Sequence, residues 1–217
     1  MSKNLKKRIA TSIGLIFLLF GMFFSNFILA YFIIVMGTIS TIEYLNINSI
    51  IYKKKKLLKY FLNFLFLVFL FFFCLLFILL STYNHYKIFI FIILLICIFS
   101  DIGGFTIGKI FKGKKLTKIS PKKTISGAIG SLLFSSTLSL IIFYYLTEEF
   151  SYRALILGLV TSIACQLGDL FFSLIKRKSF LKDTGNFLPG HGGILDRLDG
   201  ILLGIPVGYL TLIILHV

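Results

Sequence analysis

Acidic side chains are scarce in this chain, and where they stand is the first clue to its chemistry. Of eight carboxylates, five are aspartates (Asp101, Asp169, Asp183, Asp196, Asp199), all in or beside polar, Gly-containing segments. The glutamates Glu43, Glu148 and Glu149 fall at the ends of apolar runs. The densest polar segment, Ser173 to Asp199, sets Lys176, Arg177, Lys182, Asp183, His191, Gly192, Gly193, Asp196, Arg197 and Asp199 between two apolar stretches. Carboxylates suit Mg²⁺, which typically takes one or two of them plus substrate phosphates at about 2.0–2.1 Å. The bases beside them can hold further phosphate charge, arginine through a bidentate fork. The run Pro189-Gly190-His191-Gly192-Gly193 lets backbone approach a polyphosphate and turn N–H groups toward it. A second basic segment, Ser120-Pro121-Lys122-Lys123-Thr124 with Ser126-Gly127, opens an apolar run whose helical N-terminus adds partial positive charge. Together these residues describe metal-assisted phosphoryl or nucleotidyl transfer.

The elements that must position them are membrane helices. The chain of 217 residues is 58% hydrophobic, with a mean hydropathy of +0.98. That is more apolar side chain than a soluble domain of this size hides. Seven apolar runs are long enough, or nearly so, to cross about 30 Å of hydrocarbon. They lie at Ile9–Phe24, Phe27–Ile42, Tyr60–Leu80, Ile88–Gly108, Ile125–Leu146, Ala154–Ile175 and Gly200–His216. The expected fold is therefore an all-α polytopic bundle of about seven spans, forming one integral membrane domain over residues 1–217. Residues 1–59 read as an N-terminal helical hairpin, joined at Ser25-Asn26, followed by a basic loop at 46–59. Residues 60–217 read as the bundle that carries the polar segment at 173–199. The Lys-rich start lacks a small-residue cleavage site, so the first helix is expected to be retained.

The net charge is +15, and 21 of the 23 Lys and Arg residues fall on one side of a seven-span arrangement. This is the positive-inside pattern of a chain with a cytoplasmic N-terminus, reinforced by attraction to anionic headgroups. No nucleic-acid recognition motif accompanies the charge, so a nucleic-acid partner is not expected. Cys74, Cys97 and Cys165 sit singly in apolar runs and read as small buried hydrophobes.

Under this topology Asp101 precedes Lys109 by about 12 Å of helix and Asp169 precedes Lys176 by about 10 Å. Both lie where a hydrocarbon-spanning helix would be, and an ionisable group there reads as functional by default. Asp196 and Asp199, three apart, would share a helix face at the start of the last span. All four acids then fall at one depth beneath the cytoplasmic surface, as Asp101, Asp169, Asp196 and Asp199 around a shared ion. Each feature alone has a plainer reading. Lys176-Arg177-Lys178 could be an ordinary cytoplasmic flank, and His191 a solvated loop histidine. Asp101 or Asp169 could pair with a lysine, and Asp199 could cap a helix. It is their conjunction that points to a site.

At these residues the chain resembles the phosphatidate cytidylyltransferase (CDP-diacylglycerol synthase) family. The resemblance rests on Ser173, Lys176, Arg177, Lys182, Asp183, Gly185, Pro189, His191, Gly192, Gly193, Asp196, Arg197 and Asp199. Ser100-Asp101, the Ser120–Thr124 segment and Gly168-Asp169-Leu170 extend it upstream. The chain departs from the family pattern at Ser126 and Phe172, where the family usually or often has glutamate. The resemblance implies transfer of a cytidylyl group from CTP to phosphatidate, giving CDP-diacylglycerol and diphosphate with Mg²⁺ (and room for a second cation). It implies Asp169, Asp196 and Asp199 in the metal site, with Asp101 as a further contributor. Lys176, Arg177, Lys182 and Arg197 would neutralise triphosphate and the leaving group. Lys122 and Lys123 would serve nucleotide or lipid phosphate, His191 with Gly192 and Gly193 would shape a loop over the nucleotide, and Asp183 would orient Lys182. A homodimer is compatible with it, and the implied location is the inner membrane with the site facing the cytoplasm.

Three rivals have distinct signatures. A CDP-alcohol phosphotransferase would carry a different Asp-rich motif, which is absent after Asp199-Gly200. A CTP-dependent lipid or polyprenol kinase would transfer the γ-phosphate instead. A transporter would spread polar residues through the full depth of the bilayer, whereas here they collect on one side.

Overall fold

The computed structural model describes residues 14, 17–187 and 192–215. They form helices and connecting turns, with an isolated antiparallel bridge between Lys115 and Thr124 and no strand among the described residues. The described part of the first apolar run, residues 17–24 (α1), is helical. There follow α2 (Asn26–Ile51), α3 (Lys56–Ser81), α4 (Asn84–Phe111), α5 (Ile125–Thr147), α6 (Tyr152–Lys178), the short α7 (Leu195–Leu198) and α8 (Ile201–Leu215). Six stretches among the described residues are long and apolar enough to cross a membrane, the last running from Leu195 to Leu215. The polytopic all-α fold expected from the apolar runs is the one observed.

Two boundaries differ from the sequence reading in ways that matter. α2 continues past Ile42 to Ile51, so residues 46–51 belong to a helix and the basic loop shrinks. Its polar face explains the extension. Asn48 Nδ2 donates to the Lys59 carbonyl at 3.3 Å and to Asn63 Oδ1, which pins this end of α2 to α3. The second difference is at the last span: α7 stops at Leu198, and Asp199-Gly200 form a turn before α8. Asp196 and Asp199 therefore do not share a helix face, because the helix that would align them is interrupted between them.

The chain folds as two compact units, Met1–Lys87 with Ile175–Leu198, and Ile88–Leu174 with Asp199–Val217. In the first, α2 packs on α3. The Tyr44 and Phe66 rings stack at 3.8 Å, and Gly37 leaves space filled by Leu70 and the Cys74 thiol. Lys87, buried, donates to Asn26 Oδ1 at 2.7 Å.

The second unit is built by close backbone approach. A Cβ added to Gly103 would lie 2.5 Å from the Gly130 carbonyl, and one added to Gly158 would lie 2.6 Å from the Ser136 Cα. Small residues at such contacts let membrane helices meet without side chains intervening. Interhelical hydrogen bonds join them: Ser139 Oγ to the Ala154 carbonyl at 2.7 Å, Ser100 Oγ with Ser162 Oγ at 2.7 Å, and Gln166 Nε2 to the Ala128 carbonyl at 3.3 Å. Cys97 and Cys165 are free and buried, as expected of small core hydrophobes.

Candidate active site

In the first unit, the polar segment begins with a sharp exit from α6. Phe180 takes a left-handed conformation (φ 58°). The Leu181 N–H donates to the Lys176 carbonyl at 3.0 Å and the Phe180 N–H to the Arg177 carbonyl at 3.1 Å. This Schellman pattern satisfies two end carbonyls of α6 and turns the chain back immediately after its basic end. Lys176 then pairs with Asp196 Oδ1 at 2.7 Å, both side chains largely buried. Asp196 Oδ2 accepts the Thr184 N–H at 2.8 Å and the Gly193 N–H at 3.1 Å. Gly192 has φ +87°, a conformation that favours glycine, and a Cβ there would lie 3.2 Å from Asp196 Oδ2 and 3.4 Å from the Asp183 Cβ.

A residue outside the polar segment completes this arrangement. Glu43 on α2 is only 2% exposed. It accepts the Thr184 hydroxyl at 2.7 Å, the Ile194 N–H at 3.0 Å and the Leu195 N–H at 2.9 Å. The amides at 193, 194 and 195 are thus engaged by protein carboxylates. Within the Pro189–Gly193 run expected to turn N–H groups toward polyphosphate, the Gly193 N–H is instead bonded to Asp196, and the adjoining Ile194 and Leu195 amides are held by Glu43. Asp196, with three donors on its two oxygens, organises the loop.

In the second unit, α5 starts at a side-chain cap: Thr124 Oγ1 accepts the Gly127 N–H at 3.1 Å. Before it, Leu116 and Lys123 are joined by an N–H to carbonyl bond of 2.8 Å and Ile125 to Lys114 by one of 2.9 Å, folding the basic segment back on itself. Ser126 has taken a structural role, with its Oγ accepting the Gly113 N–H at 3.3 Å. Phe172 is buried. The hairpin delivers Lys123 into an ion pair with Asp169 of α6. Asp169 Oδ1 also accepts from Ser173 Oγ at 3.3 Å. One residue earlier, a Cβ on Gly168 would lie 2.5 Å from the Asp199 carbonyl. Only glycine allows that approach, which brings the Asp199 turn onto α6 next to Asp169. Asp199 Oδ1 accepts its neighbour's N–H, that of Gly200, at 2.9 Å.

Of the remaining expected residues, Asp101, Lys122, Arg177, Lys182, Asp183 and Arg197 are exposed. His191, with Pro189 and Gly190, lies outside the described residues. No group of three or more His, Cys, Asp or Glu side chains among the described residues is arranged to hold a metal. The chemistry available is phosphate recognition by Lys and Arg around two carboxylate-organised centres, with Asp169 and Asp199 as hard oxygen donors in one unit.

Fold and site together define a polytopic membrane protein whose polar chemistry is concentrated in a few charged segments. A model of the cytidylyltransferase family matches residues 6–215, and the chain belongs to that family. It is similar to the phosphatidate cytidylyltransferase of Rickettsia bellii, 45% identical over 118 residues that cover 51% of this chain and 49% of the relative. That of Rickettsia typhi is 41% identical over 126 residues, covering 54% and 55%. That of Mycobacterium leprae is 37% identical over 127 residues, covering 58% and 41%. The chain spans about half the length of the curated relatives it matches.

Proposed function

We propose that this chain is a phosphatidate cytidylyltransferase, converting CTP and phosphatidate into CDP-diacylglycerol and diphosphate. The observation that carries this reading is the kinship with enzymes of that name together with the two ion pairs, Lys176–Asp196 and Lys123–Asp169. They are made by residues of the motifs on which the resemblance was founded.

The reaction needs little covalent help. The second phosphate pKa of a phosphomonoester is about 6–7, so the phosphatidate phosphate is largely dianionic near neutral pH. One of its oxygens attacks the α-phosphorus of CTP. The new P–O bond forms as the bond to the bridging oxygen of the β-phosphate breaks, and diphosphate leaves with the electron pair. Catalysis consists of aligning two anions and offsetting their repulsion. Lys176, Arg177, Lys182 and Arg197 are assigned to the triphosphate and leaving group. Lys122 and Lys123 are assigned to nucleotide or lipid phosphate, with Lys123 held ready by Asp169.

The donor chemistry fits Mg²⁺ in the form that uses one or two carboxylates plus substrate phosphates. Asp169, whose side chain is 28% exposed, and Asp199 beside it would hold the ion, with Asp101 as a further donor. Bound there, Mg²⁺ supplies charge neutralisation of the phosphates.

The proposed location is the inner membrane, with the basic segments and the site at the cytoplasmic surface where anchored phosphatidate meets soluble CTP. Purified chain in phosphatidate-containing vesicles should move label from [α-³²P]CTP into lipid. Label moving from [γ-³²P]CTP would instead indicate the lipid-kinase reading.

A further inference from the structure

We infer that Glu43 is a positioning residue for nucleotide binding. It acts from α2 by holding the loop that carries Thr184 and residues 192–196. The inference rests on the proposed cytidylyl transfer and adds to it a residue outside the segment on which that reading was built.

The geometry is specific. Glu43 Oε1 faces the Ile194 N–H, and Oε2 faces both the Leu195 N–H and the Thr184 hydroxyl. All four residues are buried, so water cannot substitute for the carboxylate. Thr184 is the bridge. Its hydroxyl goes to Glu43, while its N–H goes to Asp196, whose other oxygen holds Lys176. A chain of contacts thus runs from α2 through Thr184 and Asp196 to a lysine assigned to triphosphate. The glycines of the segment fit the same purpose. A Cβ on Gly193 would meet Glu43 Oε2 at 2.6 Å, and one on Gly185 would collide with the same carboxylate.

Glutamine cannot replace this group. Three donors converge on two oxygens, and an amide offers one oxygen and one NH₂. In either orientation the NH₂ would face at least one backbone donor, leaving a buried N–H without an acceptor. Glu43→Gln should therefore loosen the loop without removing α2.

The test uses the full chain in vesicles, with two independent readouts. Hydrogen exchange at the amides of Ile194 and Leu195 should accelerate about tenfold or more in Glu43→Gln, since bonds to a charged acceptor are lost. In the cytidylyl-transfer assay, KM for CTP should rise about 10- to 100-fold while KM for phosphatidate stays at its wild-type value. Loss of folded protein alone would lower the apparent kcat and leave both KM values unchanged. Thr184→Val, which removes one donor and leaves α2 intact, should move the same two readouts in the same direction by a smaller factor. Glu43→Asp should recover part of the CTP affinity. Unchanged exchange at residues 194 and 195, or an unchanged KM for CTP in an active enzyme, would overturn the inference. Absence of transfer by wild-type protein would instead overturn the proposed reaction, with the exchange measurement still deciding whether Glu43 holds the loop.

Discussion

Two lysine–aspartate pairs in this protein look alike on paper and differ in consequence. Lys176–Asp196 is largely buried, and Asp196 also holds two loop amides. Asp196→Asn leaves a buried ammonium without its counter-charge, which costs about 3–5 kcal/mol. Lower thermal stability in detergent and at least a 100-fold loss of cytidylyl transfer are expected together. Lys123–Asp169 is about one-quarter exposed on each side, and pairs of that kind contribute at most about 1 kcal/mol. Lys123→Ala should therefore leave the melting temperature nearly unchanged while transfer falls at least tenfold. Parallel losses of stability and activity there would argue that Lys123 is structural. The types of these residues were legible in the sequence because charge beside long apolar runs demands a reason. A lysine partner for Asp169 is legible as well, but which lysine, and the pairing of Lys176 with Asp196, is not. Glu43 is not legible as a site residue because the apolar run ends at Ile42, which makes it look like a helix-end acid. Its position inside α2 brings it under the same rule that singled out Asp101 and Asp169.

Among the elements, α5 meets α6 through a small residue, Gly158. Gly158 faces the Ser135 carbonyl and the Ser136 Cα, which are backbone atoms that cannot rotate away. Gly158→Ala should destabilise the protein by about 1–3 kcal/mol, the usual range for overpacking, read as a lower melting temperature in detergent. A neutral result would mean that the two helices separate readily. Helix existence was readable from apolar runs because lipid imposes it: backbone polar groups in hydrocarbon must be satisfied internally. Helix ends were not equally readable. Asn48 and Asn63 extend α2 through a pairing between helices, and the turn at Asp199-Gly200 follows from the close approach of Gly168. Both are tertiary causes that local pattern does not carry.

For the molecule as a whole, the surface and the charge distribution agree. Phe27 and Leu57 are about nine-tenths exposed, as suits side chains facing acyl chains. The basic residues are grouped at 53–59, 109–123 and 176–197. The positive-inside rule then predicts that Lys54→Cys and Lys115→Cys are shielded from an impermeant maleimide in intact cells, whereas Arg153→Cys is labelled. The reverse pattern would put the proposed site on the wrong side of the membrane for CTP. Which phosphorus is attacked is read directly by ³¹P NMR of one closed reaction with phosphatidate, CTP and Mg²⁺. For cytidylyl transfer, diphosphate and a diphosphate-linked lipid should appear in equal amounts as CTP disappears, with no CDP formed. CDP accumulating in step with a newly phosphorylated lipid would contradict it.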